Sequence, residues 1–156
     1  MGQLDLAQSL TDLIGENKIS TSQPDIEAHS IDKWLVSHPP DVVVFAESTD
    51  DVVRVMRFAY ENKVPVTTRG AGVGYVGGAV PIHGGIVLSV ARMNQIKEIN
   101  PEDGVAVAEP GVITGDLQKR VKEFGYFYPP DPASLKECSL GGNVATNAGG
   151  PRCLKY

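Results

Sequence analysis

Near the start of the chain, apolar residues recur at Leu6, Leu10, Leu13 and Ile14, and Gly15 follows. This three-to-four spacing predicts a helix over residues 4–14 that the glycine closes. A polar stretch then runs to about Pro24. Trp34-Leu35-Val36 is expected to pack locally, and Pro39-Pro40 bars a long element there.

From Val42 the pattern becomes regular. Val42-Val43-Val44-Phe45 is a continuous apolar run of the kind a buried strand needs. Ser48-Thr49-Asp50-Asp51 supplies cap candidates and early acids for a helix. Its expected buried stripe is Val52, Met56, Ala59 and Tyr60, with Arg54, Arg57 and Glu61 in water. Residues 64–68 predict the next strand, so strand, helix and strand form a βαβ unit with a right-handed crossover. Ile86-Val87-Leu88-Ser89-Val90 predicts a third strand. Residues 96–100 and 105–108 flank Pro101-Glu102-Asp103-Gly104, a turn signal that predicts a hairpin. Pro110-Gly111 ends the second of these strands. Thr114 is placed as the cap of a helix that carries Leu117, Val121 and Phe124 on one face and stops at Gly125. Residues 126–132, rich in aromatics and proline, are read as irregular. The class is α+β: an N-terminal βαβ subdomain followed by a more antiparallel sheet with flanking helices.

Composition narrows the function classes. The chain has 156 residues, 42% of them hydrophobic, which is about one domain with a real core. A formal net charge of −5 argues against a nucleic-acid surface, which needs clustered Lys and Arg. No apolar run approaches the roughly 20 residues of a membrane helix. The first residues carry neither a signal-peptide pattern nor, at Leu6, the Ser or Thr of a myristoylation site. Cys138 and Cys153 suggest neither a metal pair nor a disulfide framework. A reduced, soluble, cytoplasmic protein is expected.

Glycine is the informative residue. Seven of the 17 fall between Gly70 and Gly85, and four between Gly141 and Gly150. Gly72-Val73-Gly74-Tyr75-Val76-Gly77 matches G-x-G-x-x-G after a strand, with Glu98 about 20 residues on. Yet Gly78, Pro81, Gly84 and Gly85 follow at once, so no helix can start there and the Rossmann reading fails. What survives is a nest: from Arg69 to Gly74 consecutive N–H groups can converge on an anion. A plain turn between two strands fits that loop equally well. The second cluster, residues 139–150, mixes Gly with Ser, Thr and Asn, so a large flat ligand can lie on backbone and still find hydrogen bonds. The alternative is a flexible linker, against which stand the interspersed Leu140 and Val144.

Together the two clusters resemble the FAD-binding domain of the vanillyl-alcohol oxidase/p-cresol methylhydroxylase family, a PCMH-like fold of FAD-binding type 2. Within it the nearest branch is that of the glycolate oxidase FAD-binding subunit and the D-lactate dehydrogenases. The resemblance is carried by Pro65-Val66-Thr67-Thr68-Arg69-Gly70-Ala71-Gly72, Gly77-Gly78-Ala79, Gly85-Ile86-Val87-Leu88-Ser89, Arg92-Met93-Asn94, Pro110-Gly111, Asp131-Pro132-Ala133-Ser134 and residues 139–150. It implies an FAD-binding domain over 39–156, and residues 1–38 are read as an N-terminal helix and irregular lead-in.

The resemblance assigns roles position by position. Arg69, Gly70, Ala71, Gly72, Val73, Gly74 and Tyr75 would hold the FAD pyrophosphate, and Gly78 would keep the backbone close to it. Pro110 and Gly111 would shape a wall. Ser134, Cys138, Ser139, Gly141, Gly142, Asn143, Ala145, Thr146 and Asn147 would lie along the cofactor. Val73 stands where covalently flavinylated relatives carry His, which implies non-covalent FAD. His83, His29, His38, Cys153 and Asp131 are read as ordinary surface or turn residues, and no catalytic or metal-binding residue is nominated.

In the resembling family the FAD domain runs on past Tyr156 and a separate substrate domain follows. The chain is therefore expected to be truncated: a fragment of a larger oxidoreductase or, less favoured, one part of an assembly. Its parent would oxidise a D-2-hydroxy acid of the glycolate or lactate type to the 2-oxo acid, and the isolated chain would be inactive. A non-catalytic flavin-binding or interaction module is the alternative. Uncovered sheet edges would invite self-association or a partner subunit.

Overall fold

The computed structural model describes residues 5–155. Two compact units divide it, the first ending at Arg92 and the second starting at Met93. Mixed α and β elements, a parallel-rich sheet in the first unit and an antiparallel hairpin in the second, give the α+β class that the sequence predicts.

In the first unit, α1 (Leu6–Ile14) starts on the Asp5 cap and ends at Gly15, whose φ of 99° few other residues adopt. Leu4, where the helix was expected to begin, lies outside the described residues. The supposedly irregular stretch after it holds β1 (Ile19–Ser20) and α2 (Gln23–His29). Ser22 caps α2, and Pro24 sits in its first turn, where proline costs the helix no hydrogen bond. Trp34 and Leu35 do not pack as expected: they are 60% and 79% exposed, at the tip of a turn closed by the Ile31–Ser37 bridge.

The sheet order is β1-β2-β4-β3, with β2 (Val42–Phe45), β4 (Ile86–Ser89) and β3 (Val66–Arg69) parallel and β1 antiparallel. The expected βαβ unit is present, but β4 lies between its two strands. Val42, Val43, Val44, Ile86, Val87 and Leu88 are fully or almost fully buried. Each such side chain contributes roughly 1.5–3 kcal/mol, so these two strands dominate the unit's core.

Helix α3 (Thr49–Asn62) opens on a capping box between Ser48 and Asp51. Asp51 is buried, accepts from the N–H groups of Glu47 and Ser48, and pairs with Lys18 at 2.8 Å. The buried stripe is Asp51, Val55 and Ala59; Ala59 is buried as expected, whereas Asp51 and Val55 stand in place of Val52 and Met56, and Met56 and Tyr60 face solvent. Arg54 and Arg57 are exposed as expected.

In the second unit, β5 (Ile96–Asn100) and β6 (Val105–Ala108) pair antiparallel with an irregularity between Ile96 and Glu98. Their turn is shaped by Asn100, whose Oδ1 accepts from Glu102 and Asp103 N–H. Helix α4 (Thr114–Lys122) packs Leu117 and Val121 with Val112 against Ile96, Ile99 and Ala106. Phe124 falls beyond the helix and is exposed. The second glycine cluster, not foreseen as helical, forms α5 (Leu140–Thr146), capped by the Ser139 hydroxyl and closed by Asn147 at φ 53°.

Candidate functional site

The first glycine cluster leaves the C-terminal end of β3 as a loop without helix or strand, where open parallel sheets usually bind ligands. The loop is pinned from behind. Arg69 is 8% exposed, and its guanidinium donates to Ala79 O at 3.3 Å and Ala28 O at 3.1 Å. Asp32 accepts from Gly77 N–H at 2.9 Å, and Lys33 N–H donates to Gly74 O at 3.0 Å. Burial pulls the Arg69 guanidinium below its usual range, and the Asp32 charge opposes that pull.

The outward side of the loop is different. No acceptor among the described residues takes the N–H of Gly72, Val73 or Gly74. A Cβ placed on Gly74 would meet no other group within 4 Å, and one on Gly78 would only reach Val76. Successive donors on an open backbone surface are the kind of feature that can take an anion, with no surface lysine or arginine required. Gly72 is the exception: it turns at φ 68°, and a Cβ there would collide with the Arg69 guanidinium.

The second cluster divides its residues in two. Cys138, Ser139 and Asn143 are buried and engaged within the protein. The Ser139 hydroxyl accepts from Gly142 N–H, and Asn143 Nδ2 donates to Thr114 Oγ1 at 2.6 Å. Thr114 is not the helix cap; it is fully buried, while Ile113 holds the cap position. Ala145, Thr146 and Asn147 are exposed. Gly141 is small because of the protein itself, since a Cβ there would stand 2.7 Å from Pro110 Cβ.

Two cavities open on this unit. Pro110, Gly141 and Ala145 help line one of about 640 Å³, whose walls include Ile99, Val105, Leu117 and Tyr126. Asn143 and Asn147 line another of about 490 Å³ beside Tyr128 and Arg152. Gly111, Ser134, Cys138 and Ser139 border neither. Asp32, which sequence reasoning passed over, and Thr114, which it placed as a cap, hold these segments in place. Nothing in their sequence neighbourhood marks them, because their partners lie 45 and 29 positions away.

The remaining titratable groups form no second centre. His83 is exposed. His29 bonds Asp25 O through Nδ1 and meets Phe45 edge-on at 5.3 Å between ring centroids. Burial holds its pKa below the usual imidazole range, and the Arg69 charge acts in the same direction. Among the described residues, no group of three His, Cys, Asp or Glu side chains could hold a metal ion. No helix among them is long and apolar enough to cross a membrane.

A glycine loop at the end of a parallel-rich sheet, followed by an antiparallel unit, is an arrangement of the PCMH-type flavin-binding fold. The chain belongs to the FAD binding domain family, which matches residues 40–156. It is 45% identical over 117 residues to glycolate oxidase subunit GlcD of Bacillus subtilis, covering 75% of this chain and 25% of that protein. It is 47% identical to D-lactate dehydrogenase of Anaerostipes hadrus, covering 75% of this chain and 24% of that one. The crystal structure of p-cresol methylhydroxylase with substrate bound overlays with a TM-score of 0.73 at 26% identity, covering 89% of this chain and 28% of the other. FAD is the cofactor of this family and of this domain. The chain spans about a quarter of the curated relatives it matches.

Proposed function

We propose that this chain holds FAD non-covalently within an enzyme that oxidises a D-2-hydroxy acid, of the glycolate or lactate type, to the 2-oxo acid. The observation that carries the reading is the loop 70–78, with open backbone at Gly74 and Gly78 and N–H groups at Gly72, Val73 and Gly74 that no acceptor among the described residues takes. Those donors would take the pyrophosphate, and Arg69 would shape the loop rather than reach the ligand. In the second unit the exposed Ala145, Thr146 and Asn147 and the cavity-lining Pro110, Gly141 and Asn143 would lie along the cofactor. The buried Ser139 and Cys138 would act from behind, by fixing the start of α5.

FAD, when bound, supplies the two-electron acceptor for alcohol oxidation. Val73 offers no nucleophilic side chain for a covalent link, which supports a dissociable cofactor. The hydroxy-acid class rests on the named relatives alone. Strands β5 and β6 pair only with each other among the described residues, and Val105 and Val107 are exposed on them. Further polypeptide of the same enzyme, or a partner subunit, would cover that surface.

The test is to load the purified protein with FAD, desalt it, and record flavin absorbance and fluorescence. Retained flavin that acid or heat releases intact supports the reading. A colourless protein that still unfolds cooperatively would overturn it. Turnover of glycolate and D-lactate by the full-length enzyme then tests the substrate class.

A further inference from the structure

We propose that Asp32 is the positioning residue of the glycine loop: its buried carboxylate and the Arg69 guanidinium form a floor that fixes the shape in which the loop takes a diphosphate. The inference rests on the FAD reading above and adds the device that pre-forms the site.

Asp32 is only 6% exposed. Its Oδ1 accepts from Trp34 N–H at 2.8 Å, and its Oδ2 accepts from Gly77 N–H at 2.9 Å. The next residue, Lys33, donates its N–H to Gly74 O. The turn 32–34 therefore grips the loop at two points three positions apart, at Gly74 and Gly77. Arg69 holds the two ends of the arrangement, donating to Ala28 O from one terminal nitrogen and to Ala79 O from the other. Gly72 lies so close over the guanidinium that any side chain there would displace it. Between these pins run the N–H groups that no acceptor among the described residues takes.

The physics separates positioning from electrostatics. A carboxylate close to a diphosphate site repels the ligand, so by charge alone Asp32 weakens binding. Burying a carboxylate is also costly unless hydrogen bonds and an opposite charge compensate it. Here two N–H donors and the Arg69 charge do so. What Asp32 gives the ligand is geometry: N–H groups already aimed need no reordering on binding. The two roles predict opposite signs when the charge is removed. Asp32→Asn keeps the shape and one carbonyl acceptor but cannot accept from both Trp34 and Gly77.

The experiment compares purified wild-type protein with Asp32→Asn and Arg69→Lys, reading FAD affinity, thermal midpoint and amide hydrogen exchange. Positioning predicts that Asp32→Asn weakens FAD by about tenfold or more, the size of one hydrogen bond to a charged group. Exchange at the Gly77 and Lys33 amides, which tie the loop to the turn below it, should quicken while the β2 and β4 amides keep their protection. Unchanged or tighter FAD binding by Asp32→Asn overturns the proposal. Arg69→Lys, which loses the fork that reaches both carbonyls, should reproduce the effect if Asp32→Asn does not fold; wild-type affinity in it overturns the proposal instead. If the wild-type protein fails to bind FAD, the functional reading falls, and exchange alone judges the floor: faster exchange confined to the Gly77 and Lys33 amides sustains it, and unchanged exchange refutes it.

Discussion

Asn143 Nδ2 donates to Thr114 Oγ1 at 2.6 Å, and through that hydroxyl the first turn of α4 is tied to the middle of α5. The same hydroxyl donates to Cys138 O at 3.2 Å and lies 3.4 Å from Cys138 Sγ. All three residues are buried, so no water stands ready to replace a lost partner.

Thr114→Val keeps the shape and deletes the hydroxyl, leaving the Asn143 amide buried and unpaired. The expected loss is about 1–3 kcal/mol, the penalty for one unsatisfied buried donor. Thr114→Ser should restore most of it. Urea unfolding followed by circular dichroism reads both, and a Thr114→Val protein as stable as wild type would show that the tie is idle.

Gly141 and Gly74 separate fold from ligand. Gly141→Ala drives a methyl group against Pro110, at 2.7 Å from its Cβ and 3.0 Å from its carbonyl oxygen. Overpacking of that kind costs about 1–3 kcal/mol. It outweighs the gain of about 1 kcal/mol that alanine brings inside a helix. Gly74→Ala meets no such obstacle and lies outside the left-handed region, so the thermal midpoint should stay put. FAD affinity should nevertheless fall in Gly74→Ala, because the methyl group enters the space of the ligand. Parallel melting and flavin-titration curves check the pair.

Stability should decline with acid in two stages. Burial lowers the His29 pKa in the folded chain, so the unfolded chain takes up that proton first. The His29 contribution is full above about pH 6.5 and shrinks as pH falls from there toward the folded value. At Asp51, burial alone would raise the carboxyl, but Lys18 and the Glu47 and Ser48 groups outweigh it and leave the pKa lowered. Its contribution is full above about pH 3.9 and is lost as pH falls through the folded value. Melting temperature against pH should lose its upper step in His29→Gln and its lower step in Asp51→Asn. A flat wild-type profile between neutrality and about pH 5 would contradict the His29 assignment.

Much of this fold was legible because its determinants are local. The run Val42–Phe45, the cap at Ser48 and the turn over residues 101–104 each act within a few residues, and each stands as expected. The misreadings have local causes too. The polar residues before Pro24 hide α2, in whose first turn that proline sits, and Gly141 and Gly142 disguise α5. Met56 and Tyr60 were placed inside with Ala59, whereas the helix buries Val55 and Ala59 and leaves the two larger side chains in solvent. In the candidate site the open donors of the glycine loop followed from composition. Asp32 and the true place of Thr114 did not, since their bonds reach across 45 and 29 positions and leave no periodicity behind.

The strand order β1-β2-β4-β3 has a consequence for how the chain is made. The middle strand of the parallel set, β4, is synthesised last of the three. Until Ser89 has left the ribosome, β2 and β3 have no neighbour in common, and both expose backbone that could pair elsewhere. The glycine loop is the tether that β4 must draw closed before either strand is satisfied. Nascent chains arrested short of residue 86 should therefore be protease-sensitive and sticky, and those carrying Ile86–Ser89 clear of the exit tunnel should abruptly cease to be.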